Sequence, residues 1–333
     1  MKNKRLSEID VLRGFAIFLV VLGHITHISE LRNYIWGFHI PIFFFISGFL
    51  FNETKYDSFL TFFKHKIKSL VIPYIFFYLI TFCYYILIES HIRGGESPFK
   101  LLTGLFYGSY YDNFMYFNGA LWFLPCLFSI EIIGYSLKYI QHKFLQIFLS
   151  IIIYCIGIIL IKNNIVWLPW GINAALCGFI YYSCGFCCKN ILHSIFDRKY
   201  LNVVLITLCI VLQTFLFPFP SADLAICQIS DYILYIPISI IGITLFLSLS
   251  CLVKKNKALE YLGINSLVIF AFQEPVYRAV IFLFSKFLNT EVEMIRKNIV
   301  YCILMTIISI LIIVPLIYSY NKWMNPLLRK IKI

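Results

Sequence analysis

The chain has 333 residues, of which 61% are hydrophobic and 13% charged. A soluble domain carries about 25% charged residues, so a water-facing globular surface is excluded and a polytopic membrane protein is predicted. The net charge of +12 does not point to nucleic acid, because the lysines sit in short stretches between apolar runs. The eleven cysteines are scattered through those runs. Only Cys184, Cys187 and Cys188 are grouped, which is too little for a metal site. They read as small helix-packing residues, with lipidation of Cys187 or Cys188 as the other reading.

Met1-Lys2-Asn3-Lys4-Arg5 before an apolar run has the outline of a signal peptide. The run is too long and no small-residue cleavage site follows, so an uncleaved first span is predicted. That span, roughly 8–28, is long enough to cross a bilayer yet holds Asp10, Arg13 and His24. A charge at bilayer depth costs a few kcal/mol or more. Arg13 and His24 are eleven residues apart. A helix brings such a pair within roughly 20° of one face and about 16 Å apart along its axis. One reading has both side chains snorkelling to the headgroups. The other has them serving a long ligand that enters at one membrane face and reacts near the other.

The second span, roughly 34–51, runs back through the membrane. His39 then returns to the depth of His24, and Ser47-Gly48 to that of Arg13. His39 reads either as an interfacial residue capping local structure or as a substrate contact. Lys64, Lys66 and Lys68 precede a third span at 67–89. They satisfy the positive-inside rule, and Lys66 and Lys68 equally suit phosphate oxygens. The stretch 90–118 is the longest outside segment. Its Tyr107, Tyr110, Tyr111, Asp112, Asn113 and Asn118 suit either a sugar or a membrane-surface loop. Trp122 opens the span 119–139, and Glu131 lies deeper in it as an intramembrane acid, functional or paired. Further spans are predicted at 143–162, 170–189, 200–218, 231–253, 262–286 and 298–320. In 262–286, Glu274 and Arg278 have the Glu-first spacing of a helix ion pair. Pro41, Pro73, Pro125, Pro237, Pro275 and Pro315 fall inside spans, where kinks can open a central cavity.

The fold class that follows is all-α, with about ten transmembrane helices in one bundle and a single domain over 1–333. Counted by alternate loops together with the span ends beside them, and leaving out Arg13 and Arg278 within spans, lysines and arginines divide 19 to 7 between the two sides. The bias puts both termini in the cytoplasm, with Arg13 near the inner face and His24 near the outer one.

Four segments carry a family resemblance. Asp10-x-x-Arg13-Gly14-x-Ala16 followed by Val20-Val21-Leu22-Gly23-His24 resembles the opening motif of the integral-membrane acyltransferases called acyltransferase family 3. The run Phe38-His39-Ile40-Pro41 through Ser47-Gly48-Phe49-Leu50-Phe51 is similar to its second-helix signature. Lys66 to Tyr74 is similar to the start of its third helix, and Leu121-Trp122-Phe123-Leu124-Pro125 to a later one. The nearest subgroup is that of fucose 4-O-acetylase-like sugar O-acetylases.

The resemblance implies an O-acetyltransferase of the cell membrane. Cytoplasmic acetyl-coenzyme A would be a donor substrate rather than a permanently bound cofactor, and a cell-surface or lipid-linked glycan the acceptor. His24 would be the general base, since an imidazole titrates near neutrality, or would carry the acyl group covalently. Asp10 would orient Arg13, and Arg13 would hold donor phosphate or carbonyl. Ser47, Lys66 and Lys68 fall on the donor side, and His39, Trp122 and Asn118 on the acceptor side. The partners are then the lipid bilayer and a glycan, with no nucleic acid, no metal and an open oligomeric state. A transporter of a polysaccharide intermediate, without bond chemistry, is the alternative, although no internal repeat supports an inverted-repeat transporter.

Overall fold

The computed structural model describes residues 6–164, 168–189 and 197–330. The basic leader at 1–5 and Lys332, both used in the charge argument, lie outside the described residues. The described chain is a helical bundle. In order it forms α1 (Ser7–Ile25), α2 (Ser29–Trp36) and α3 (His39–Leu50). The 35-residue α4 (Phe59–Arg93) and the short α5 (Pro98–Tyr107) follow. Next come α6 (Gly119–Tyr139), α7 (Lys143–Lys162), α8 (Ile172–Cys187) and α9 (Lys199–Phe215). A two-stranded hairpin, β1 (Ala222–Asp223) and β2 (Gln228–Ile229), precedes α10 (Tyr232–Val253). The chain continues through α11 (Lys257–Ile264), α12 (Ser266–Leu288), α13 (Val292–Arg296) and α14 (Ile299–Leu328).

Among the described residues, seven helices are long and apolar enough to cross a membrane: α2–α3 taken together, α4, α6, α7, α10, α12 and α14. The prediction of about ten exceeds this count for identifiable reasons. The apolar helices α8 and α9 have only 16 and 17 residues. Helix α1 carries Glu8, Asp10 and Arg13 in its first two turns. The outward faces fit an apolar solvent. Phe144, Phe148 and Ile156 on α7 and Val204, Leu208 and Val211 on α9 are exposed, as expected where water is not the solvent.

Helix α1 is the hub, packed against α3, α10, α11, α12 and α14. Its closest neighbour is α11. A Cβ placed on Gly14 would collide with the Leu259 carbonyl, and one on Gly263 with the Asp10 carbonyl. Two backbones that close tolerate only small residues at the crossing. Long helices are interrupted where the sequence weakens them. Pro237, Pro275 and Pro315 sit inside α10, α12 and α14. Wide π turns occur at Ile67–Val71 and Tyr85–Glu89 in α4.

The segment 90–118 is not an open loop. It forms α5 and folds back on the bundle. Tyr74 donates to the Leu105 carbonyl at 3.0 Å and Tyr78 to the Phe114 carbonyl at 3.1 Å. Lys100 bridges Glu96 at 3.2 Å and Asp112 at 3.3 Å. These bonds satisfy backbone and charge locally, which is why a polar stretch of this length stays compact.

Candidate active site

Helix α1 ends beside a cavity of about 160 Å³, called the outer cavity after the side that the charge bias predicts for it, lined by His24, Trp36, His39, Tyr110, Trp122 and Glu274 among others. The end of α1 is held from two directions. Trp36 donates its indole N–H to the Gly23 carbonyl at 3.1 Å. Arg296 donates Nε to the Ile25 carbonyl at 2.8 Å and a terminal nitrogen to the His24 carbonyl at 2.7 Å. Carbonyls at a helix C-terminus lack intrahelical donors, and a cation there also suits the helix dipole. The His24 backbone is therefore fixed.

The second imidazole is close. His24 and His39 approach edge-to-face, with ring centroids 6.4 Å apart, and Trp36 lies 5.8 Å from His24 and 6.2 Å from His39. His39 is buried, and its Nδ1 lies 2.9 Å from the Ile35 carbonyl. A carbonyl only accepts, so Nδ1 carries the hydrogen and Nε2 is left with a lone pair. Glu274 closes the cavity on another side. Its Oε1 binds Arg278 at 2.6 Å, as the four-residue spacing predicts, and its Oε2 accepts from the Ala120 amide at 3.0 Å. Arg278 also reaches Glu89 at 2.8 Å.

Arg13 lines a separate cavity of about 240 Å³, called the inner cavity after its predicted side, together with Phe43, Ser47, Ser69 and Phe123. Its guanidinium stands 3.8 Å from Asp10. Phe270 lines both cavities. A third cavity of about 490 Å³ shares Ser69, Ile264 and Leu267 with the inner one and is lined by His65, Lys68, Asn265 and Asn321.

The sequence-predicted residues thus divide. His24, His39 and Trp122 meet in the outer cavity, and Arg13 and Ser47 in the inner one. Asp10 accompanies Arg13, and Lys68 lies in the third cavity. Glu131 takes its paired reading: Lys66 Nζ is 2.7 Å from its Oε1, and both side chains are largely buried. Ser47 and Tyr182 donate hydroxyls to the same carboxylate. Asn118 is buried and donates to the Ala271 carbonyl at 2.8 Å, tying the residue before α6 to α12.

Sequence reasoning did not single out Trp36, Asp223 or Arg296, named Tyr110 only as one of several tyrosines in the 90–118 stretch, and read Glu274 as structural only. Arg296 had a signal, one of two adjacent cations with Lys297 on the side predicted to hold few, but no way to tell which helix end it meets. Chemically, the outer cavity offers a positioned base beside aromatic and acidic walls, and the inner cavity offers a cation.

The comparisons with curated proteins and with solved structures returned no match. The family described as an acyltransferase domain, acyltransferase family 3, matches residues 6–317. That range takes in α1 with Arg13 and His24 and both cavities described above. The chain belongs to acyltransferase family 3 and is an acyltransferase.

Proposed function

We propose that the protein is a ten-span O-acetyltransferase of the cell membrane, similar to the fucose 4-O-acetylase-like subgroup. It moves an acetyl group from cytoplasmic acetyl-coenzyme A to a hydroxyl of a cell-surface or lipid-linked glycan. In this reading α1, α8 and α9 cross the membrane with the seven longer helices. Both termini face the cytoplasm, as the 19-to-7 charge split favours.

The observation that carries the reading is the placement of Arg13 and His24 in two cavities that share one wall residue, Phe270. The donor's phosphates lie toward Arg13 and Lys68, and the thioester reaches toward His24. His24 takes the proton of the acceptor hydroxyl as the oxygen attacks the thioester carbonyl. The carbon–sulfur bond breaks, and the imidazolium returns the proton to the leaving thiolate. His39, with its Nδ1–H held by Ile35, orients the acceptor or His24. Ser47 borders the donor path, and Trp122 stacks on the acceptor.

The test uses purified protein in vesicles with labelled acetyl-coenzyme A. His24→Gln should fold and bind donor normally, because the amide fills the ring's place and the phosphates bind at the other end. Transfer should fall by about two to four orders of magnitude, the usual share of a positioned acid or base. A folded His24→Gln protein with near-normal transfer would pass the base role to His39.

A further inference from the structure

The reaction scheme leaves the hairpin between α9 and α10 unused. Ala222 pairs with Ile229 and Asp223 with Gln228. Buried Ala222, Leu224, Cys227 and Ile229 seat it on the bundle. Tyr232 donates its hydroxyl to the Cys227 carbonyl at 3.1 Å, and Asn33 donates to the Phe219 carbonyl at 3.3 Å. The hairpin is therefore tied down on both sides. Its residues Ala222 to Ala225 form part of the wall of the outer cavity.

Two carboxylates line that cavity, Asp223 and Glu274. Glu274 is engaged on both oxygens, by Arg278 and by the Ala120 amide. Asp223 is placed differently. Its Oδ1 accepts from the Ala225 amide at 2.9 Å, a brace within the hairpin's own turn. A carboxylate offers about four acceptor sites, so this brace leaves capacity toward the cavity. Burial outweighs the neighbouring amides and the charge of Arg32, and holds the Asp223 carboxyl above the usual carboxylate range.

The surrounding wall has a matching chemistry. The indoles of Trp36 and Trp122 and the phenol of Tyr110 line the same space. Flat rings cover the C–H face of a sugar while an acidic acceptor takes its hydroxyl hydrogens. Among the described residues that line the cavity there is no lysine or arginine. An anionic substituent on the acceptor would meet the Asp223 and Glu274 carboxylates on the wall, while Arg278 behind it is spent on Glu274 and Arg32 stands over the Trp36 ring. From this wall we propose that Asp223 is a specificity residue. It accepts a hydrogen bond from a hydroxyl next to the one acylated, and the acceptor ring is a neutral saccharide rather than a uronate or a phosphate-bearing sugar. The proposal rests on the reading of the outer cavity as the acceptor site.

Binding is followed by tryptophan fluorescence and transfer by labelled acetyl-coenzyme A, on wild type and Asp223→Asn in vesicles. The acceptors are methyl glycosides of neutral hexoses and deoxyhexoses, and the matching methyl uronates. The asparagine amide oxygen can still accept from Ala225, so the hairpin keeps its brace. Wild type should bind the best neutral glycoside at least tenfold tighter than its uronate. Asp223→Asn should raise the acceptor KM about tenfold, move the donor KM less than twofold, and narrow the gap between neutral and uronate acceptors. Equal binding of uronate and neutral glycoside by wild type overturns the proposal. So does an Asp223→Asn protein with unchanged acceptor KM, which would leave Asp223 as a hairpin brace. A wild type whose tryptophans respond to no saccharide, and which acetylates none, overturns the acceptor reading itself.

Discussion

The Lys66–Glu131 pair gives the sharpest test of how the inner half of the bundle is built. Its Nζ–Oε1 distance is 2.7 Å, with the side chains 14% and 4% exposed. At an effective dielectric constant of about 20, the attraction is about 6 kcal/mol. Desolvating the two ions cancels most of that, so the pair adds little net stability. Losing one partner is different, because the other charge stays in place uncompensated, at about 3–5 kcal/mol. In Lys66→Met the Glu131 carboxylate keeps only the Ser47 and Tyr182 hydroxyls.

Thermal unfolding of purified protein in detergent reads this directly. Lys66→Met and Glu131→Leu should each melt about 6–10 °C lower. The double variant should recover most of the loss, since an apolar pair of similar volume replaces a buried ion pair at little cost. Lys68→Met should melt normally and weaken donor binding instead. The reasoning fails if Lys66→Met melts with wild type but loses affinity for acetyl-coenzyme A, which would return Lys66 to the phosphates.

Three further outcomes follow from other contacts. A Cβ on Gly119 would stand 2.7 Å from the Tyr110 ring and 3.5 Å from Glu274 Oε2. Gly119→Ala should therefore push Tyr110 into the outer cavity and lower transfer about tenfold, roughly 1.4 kcal/mol of barrier, as steady-state kinetics would read. Arg296→Met removes the donors to the His24 and Ile25 carbonyls. It should speed hydrogen exchange across residues 24–30 and destabilise by about 1–3 kcal/mol, with transfer falling more than melting temperature. The raised pKa of Asp223 means that the folded state binds the proton more tightly than the unfolded one. Its contribution to stability is greatest below the unfolded pKa and declines as pH rises through the folded value. The stability difference between wild type and Asp223→Asn should shift against wild type as pH climbs through that window, by melting curves in acidic buffers. A flat difference would place Asp223 in water.

The helical class was legible because apolar runs of bilayer length leave few alternatives. Arg13 and His24 were legible as a pair because helix geometry alone puts residues eleven apart on one face. The approach of His39 to His24 was also within reach, since two adjacent antiparallel spans bring their near ends together. What escaped was contact between segments distant in sequence. Asp223 is one short acid in a polar connector, and nothing local says that its hairpin forms a wall of a cavity. Arg296 lies 272 residues from the carbonyl it caps. Glu131 was flagged as an acid that needs a partner, but Lys66 could not be chosen from several nearby lysines. The stretch 90–118 misled because polarity was read as openness, whereas its polar groups are paired with one another and with Tyr74 and Tyr78.

Phe270 brings these parts into one arrangement. It faces the outer cavity on one side and the inner cavity on the other. Its ring centroid lies 5.0 Å from that of Phe123, which lies 5.8 Å from Phe43 and 5.5 Å from Phe44. The partition between the cation end and the imidazole end of α1 is therefore a cluster of aromatic rings rather than a line of polar groups. An aqueous pore at this depth would let water reach an activated acyl group and would leak ions. Packed rings exclude bulk water yet can change rotamer to pass a slim chain. Arg13 and His24 are about 16 Å apart along the helix axis, so a ligand that touches both must be long and thin at its middle. A compact acyl donor could reach one end of α1 but not the other, and the single helix that carries both residues sets that length.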